Sequence, residues 1–140
     1  MNAVRPVRWV VAAGIVLAAP GCAAAEPAPA PLPELGTEFT LAAGDTAVLD
    51  EGRVAVLFRD VPEDSRCPAD VACAWAGDAT VITEVSAGGA SSAHELHSNP
   101  TFPTEVSTGG YRIALRSVRP PARAEIPLSE YRVRLLVTRE

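Results

Sequence analysis

From Thr37 onward the chain alternates apolar and polar residues with a period of two, the pattern of half-buried strands. Thr37–Leu41 places Thr37, Phe39 and Leu41 on one face, and Ala43-Gly44-Asp45 then signals a turn into a second strand at Thr46–Asp50. Glu51-Gly52 turns the chain into Arg53–Val61. Asp78–Ser86 follows, with Ala79, Val81, Thr83 and Val85 opposing Thr80, Ile82 and Glu84. Gly88-Gly89 supplies a flexible turn before a more polar stretch, Ser91–Ser98, which has the character of an edge. Gly109-Gly110 leads into Tyr111–Val118. The last strand is Tyr131–Thr138, where Tyr131, Val133, Leu135 and Val137 alternate with Arg132, Arg134 and Thr138. No window carries a convincing amphipathic helix. About seven short strands separated by turn signals predict an all-β antiparallel sandwich, Ig-like, with a small barrel as the alternative.

The first 22 residues follow a different rule. Arg5 and Arg8 precede an apolar run of eleven residues, Trp9–Ala19, which ends at Pro20-Gly21-Cys22. Eleven helical residues rise roughly 16 Å, about half a bilayer core, so the segment is expected to be a secretion signal and not a lasting span. Leu17–Cys22 resembles the lipobox of bacterial lipoproteins, in which the cysteine is acylated and becomes the new N-terminus. The match departs from that pattern at Ala19, where leucine is usual, and at Pro20. Cleavage at the A-x-A site of Ala23-Ala24-Ala25 is the other reading. Residues 23–35 carry prolines at 27, 29, 31 and 33, which favour extended polyproline II. At ~3.1 Å per residue this tether spans roughly 40 Å. Three segments are therefore expected: signal 1–22, tether 23–35 and β domain 36–140.

Cysteine usage bears on the choice between leader readings. The chain has three cysteines: Cys22, Cys67 and Cys73. Cys67 and Cys73 are close enough in an exported chain to be read as a disulfide, which leaves Cys22 odd. Acylation of Cys22 removes the lone thiol, and so does its loss with the leader. Lipidation at Cys22 is the preferred expectation, giving a membrane-anchored envelope protein, with a secreted or periplasmic protein as the alternative.

Charge narrows the partners. The formal net charge is −5, and all twelve basic residues are arginine. Without Arg5 and Arg8, ten arginines face seventeen acidic residues, a balance of −7. That balance argues against a nucleic-acid partner and against electrostatic docking on anionic lipid. The membrane connection is expected through the lipid anchor alone.

The informative stretch is Asp60–Ala79. The Cys67–Cys73 bridge is expected to pin an irregular connection between two strands, with Trp75 packing over its sulfurs and Ala76-Gly77 letting the backbone pass closely. Arg66, Cys67, Pro68, Val71, Cys73, Trp75, Ala76, Gly77 and Ala79 together resemble the RCPxxVxCxWAGxA pattern of uncharacterised bacterial secreted proteins and lipoproteins. The resemblance extends more weakly to the two tyrosine-initiated C-terminal strands and to Val118–Pro121. It implies a β domain and no particular activity.

Candidate chemistry is sparse. Five residues separate the two cysteines, where redox motifs usually have two, so the bridge is expected to be structural. Asp60, Glu63, Asp64, Asp70 and Asp78 form no calcium loop of recognisable spacing, and Arg66 is expected to pair with a neighbour. His94 and His97 are the only histidines. Three apart on a strand, they point to opposite faces, which makes them weak candidates for metal. No G-x-S-x-G or phosphate-binding loop occurs, and no cofactor is expected. The expected function is a non-enzymatic binding module for a protein or small ligand at the cell surface. Two alternatives remain: a protease inhibitor using the Ser98–Gly110 loop with Phe102, and a metal-binding envelope protein using His94 and His97.

Overall fold

A computed structural model describes residues 31–140, which form one compact unit. The expected leader, its cleavage site, Cys22 and most of the tether lie outside the described residues. Leu32 is exposed, Leu35 packs on the core, and the Gly36 amide donates to the Val137 carbonyl.

Eight strands follow: β1 (Phe39–Ala42), β2 (Thr46–Leu49), β3 (Val54–Asp64), β4 (Ala79–Ala87), β5 (Ala90–His97), β6 (Glu105–Thr108), β7 (Tyr111–Arg119) and β8 (Arg132–Arg139). They form two antiparallel four-stranded sheets, β1-β8-β7-β6 and β2-β3-β4-β5. The expected sandwich is what forms, as two separate sheets and not a closed barrel. β2 to β5 and β6 to β8 run as meanders, while the β1–β2 and β5–β6 connections cross between the sheets and β1 lies beside β8, a strand order different from the immunoglobulin Greek key.

The period-two pattern explains the core. Val54, Val56 and Phe58 of β3 face Val81 and Val85 of β4 within one sheet. Ile113 and Leu115 of β7 pair with Val137 and Leu135 of β8 in the other. All nine are buried, and with Leu41, Leu49, Leu96, Val118 and Val133 they make one continuous core. Thr83, also buried, donates its hydroxyl to the His94 carbonyl.

β6 was not expected. Its sequence, Glu-Val-Ser-Thr, has a single large apolar residue, yet Val106 pairs with Ile113 and packs against the core. Forming it shortens the expected Ser98–Gly110 loop to residues 98–104. β3 also runs three residues past its expected end, through irregular register around Asp60 and Glu63. Pro62 lies in that stretch, where a missing ladder donor is tolerated.

Phe58 is fully enclosed between the sheets. Phe58→Ala is expected to destabilise the domain by about 3–5 kcal/mol. Urea unfolding monitored by circular dichroism measures this, and a loss below about 1 kcal/mol would mean the ring is not the core element described.

Candidate binding cleft beside the disulfide loop

The β3–β4 connection, residues 65–78, is shaped by three constraints. The first is a short backbone ladder that continues the sheet. The Ser65 amide donates to the Asp78 carbonyl (2.6 Å), and the Cys67 amide donates to the Ala76 carbonyl (3.0 Å). The second is Gly77. It has φ of +66°, and a Cβ there would collide with the Ser65 backbone carbonyl. Only glycine combines that backbone region with so close an approach. The third is the Cys67–Cys73 disulfide, with its Cα atoms 6.0 Å apart. Inside the bridged loop, Pro68 and Val71 close a turn.

Arg66 anchors this loop to the rest of the sandwich. Its Nε and Nη2 donate to the two Asp64 carboxylate oxygens, at 2.8 and 2.7 Å. Its Nη1 donates to the Val118 carbonyl, and Nη2 also donates to the Pro120 carbonyl. The Tyr131 hydroxyl donates to Asp64 Oδ2 at 2.8 Å. Residues from the ends of β3, β7 and β8 thus meet at one largely buried ion pair. Partial burial raises the Asp64 pKa, but the bonds from Arg66 and Tyr131 outweigh it and leave the carboxyl below its ordinary value. Burial and the Asp64 carboxylate push the Tyr131 phenol up to about 12. The expectation that Arg66 pairs with a neighbour is met.

Trp75 does not pack over the sulfurs. It is 81% exposed. The backbone ladder locks residues 65–67 beside 76–78, so Trp75 leaves over a cleft on one side of the ladder. Cys67 lines a different groove, with Arg66 and Ala76.

The cleft has a volume of about 500 Å³ and is lined by Trp75, Phe102, His97, Asp78, Glu63 and Thr80, with smaller polar residues between them. Its floor is organised by Asp78. Asp78 Oδ2 bonds His97 Nδ1 at 2.6 Å, while Oδ1 accepts from the Asn99 amide (2.9 Å) and the Ser98 hydroxyl (3.2 Å). Burial raises the Asp78 pKa, and these bonds more than reverse the effect, holding the carboxylate ionised below its ordinary range. A proton on His97 Nδ1 directed at Asp78 leaves Nε2 as the ring's second polar atom. The His97 ring lies 5.2 Å from the half-exposed Phe102 ring.

The two histidines behave as strand geometry requires. His94 pairs with Thr83 and His97 with Thr80, three positions apart on β5 and so on opposite faces. His94 Nε2 bonds the Ser92 hydroxyl, and His97 bonds Asp78. Among the described residues no group of three or more metal-ligating side chains converges. An Asp–His pair can serve acid–base chemistry when a nucleophile reaches the imidazole. Among the described residues no hydroxyl is bonded to His97 other than through Asp78.

The expected inhibitory loop is a compact turn. The Phe102 amide donates to the Asn99 carbonyl, the Thr101 amide donates to Asn99 Oδ1, and the His97 amide donates to the Pro103 carbonyl. Which neighbour Arg66 takes, and Tyr131 as the second partner of Asp64, are not legible from the sequence spacing. A buried tyrosine hydroxyl, which must find an acceptor, was the available signal. Comparison with protein-family models, with characterised proteins and with solved structures returns no match.

The shifts give a pH profile. Asp64 and Asp78 have folded values below the ordinary 3.8, so the unfolded chain takes up protons first. Their contribution is full above that value and is lost as pH falls through their folded values. Tyr131 has the opposite sign: its contribution is full below 10.0 and is lost as pH rises towards about 12. Urea midpoints measured against pH are expected to fall on both sides of a neutral plateau, and Tyr131→Phe should shrink the alkaline decline. An alkaline decline of equal size in both proteins would contradict the buried phenol–carboxylate bond.

Proposed function

We propose that this chain is a non-enzymatic binding module, carried at the cell envelope by lipid on Cys22 and a proline tether, that captures a protein segment bearing a basic side chain. The observation that carries the reading is Trp75. A tryptophan indole held in water forgoes the burial of a large apolar surface. Here it stands on a loop stapled by a disulfide, locked by Gly77 and pinned by Arg66, beside a second half-exposed ring, Phe102. A rigid, exposed aromatic anchor suits a binding hot spot, because little side-chain freedom is lost on docking.

The polar lining selects the ligand's charge. Glu63 and Asp78 supply carboxylates, and no arginine lines the cleft. A cationic group gains from both carboxylates and from the indole face. An anionic group meets two carboxylates and no arginine to compensate them. The tether supports the anchored setting, since roughly 40 Å of extended chain places the domain clear of a membrane surface. The compact turn at residues 99–103 offers no extended segment to a protease, which leaves the inhibitor reading weaker.

In a chain starting at Ala23, Trp75 is the sole tryptophan, so its fluorescence reports on the cleft directly. The free protein is expected to emit as a water-exposed indole that a neutral quencher reaches fully. A short peptide with one arginine between apolar residues should shift the emission blue and shield it. Phe102→Ala should weaken that peptide by about thirtyfold, the scale of a hot-spot truncation. Shielding by an acidic peptide instead, or by neither peptide, would refute the proposal.

A further inference from the structure

The outward face of the β1-β8-β7-β6 sheet carries a second, independent feature. Arg119 of β7 and Arg132 of β8 are directly opposed in the antiparallel register, and both are exposed. Cross-strand neighbours of like charge repel. Arg134 lies two residues further along the same face of β8, and Arg116 is displaced outward at the irregular register between Leu115 and Ser117. One carboxylate serves this group: Glu38 accepts from Arg116 at 3.1 Å and lies 3.5 Å from Arg134. Arg132 donates to the Ser129 and Tyr131 carbonyls, which orient its guanidinium without neutralising it. Among the described residues neither Arg119 nor Arg132 forms an ion pair. Other arginines of this sheet are matched: Arg112 by Glu105 and Glu140, and Arg139 by Asp50.

Four guanidiniums therefore lie on a strip two strands wide with one carboxylate, Glu38, that pairs with two of them, in a chain whose overall balance is strongly acidic. We propose that this strip is a binding site for a phosphodiester-linked polymer, whose successive phosphates bridge Arg119, Arg132 and Arg134. Guanidinium forks match phosphate oxygens in pairs, and an anion between Arg119 and Arg132 turns their repulsion into attraction. The shape of the strip favours a single anionic chain over a charged bilayer. A flat anionic surface would also meet Glu38, Glu105 and Glu140 on the same face, whereas a narrow polymer can keep to the end of the sheet where Arg119 and Arg132 lie, away from Glu105 and Glu140 beside Arg112. Nucleic acid is disfavoured because single strands are held by aromatic platforms, and the exposed aromatics Trp75 and Phe102 lie at the cleft instead.

The test is titration of the chain starting at Ala23 with poly(glycerol phosphate) across a range of salt. Anionic phospholipid vesicles and a single-stranded RNA homopolymer form the comparison arms. The proposal expects polymer binding that weakens with salt and exceeds binding to either comparison. Arg119→Gln should lower the logarithmic salt slope by about 0.7, the contribution of one phosphate contact on a flexible strand. Arg119→Glu carries the sharper expectation. It places an opposite charge across from Arg132, so thermal stability should hold or rise while polymer binding is lost. Absence of polymer binding at low salt overturns the proposal. So does equal or tighter binding of vesicles or RNA, or an Arg119→Glu protein that binds as before. Trp75 emission that stays unchanged in these variants keeps the result separate from the cleft.

Discussion

The Arg66–Asp64 ion pair is the junction on which the geometry of the cleft depends. An ion pair withdrawn from water holds only if its remaining donors and acceptors are met. Tyr131 adds a hydroxyl to the carboxylate, and the carbonyls of Val118 and Pro120 accept two further guanidinium N–H groups. The partners come from the ends of β3, β7 and β8, so satisfying one charge aligns β3 of one sheet with β7 and β8 of the other. Hydrophobic burial holds the sheets together but is non-directional. The ion pair supplies direction, because its hydrogen bonds tolerate little displacement.

The proposed binding role rests on the fixed geometry at one end of the sandwich. The disulfide closes the loop, Gly77 lets its two legs approach, and Arg66 fastens the nearer leg to the opposite sheet. Asp78 performs the matching task on the other leg, gathering His97, Ser98 and Asn99 around one carboxylate. Trp75 stands between these two fixed points. It is exposed next to a backbone paired through Cys67 and Ala76.

Legibility in the sequence tracked the range of the interaction concerned. Strands whose apolar residues alternate strictly, such as Tyr131–Thr138 and Asp78–Ser86, were readable because burial on one face imposes a period of two. β6 was not, because a strand with only Val106 to bury carries no periodic signal, and its partner β7 decides its conformation. The close backbone passage at Gly77 and the opposite faces of His94 and His97 follow from local geometry, and both were legible. The direction of Trp75 was not: it depends on pairing between residues 65–67 and 76–78. Tyr131 reaches Asp64 across 67 residues of sequence, a distance no spacing rule covers. Arg119 and Arg132 oppose each other only once the β7–β8 register exists.

On this geometry Arg66 fixes the loop that carries Trp75. Time-resolved fluorescence anisotropy of Trp75 tests it most directly, in the chain starting at Ala23 and in its Arg66→Met variant. The native indole is expected to lose anisotropy mainly through tumbling of the whole domain. Arg66→Met should add a fast nanosecond component while the far-ultraviolet circular dichroism of the sandwich is kept. A native Trp75 that already reorients freely, or a folded variant whose decay matches the native one, would contradict it.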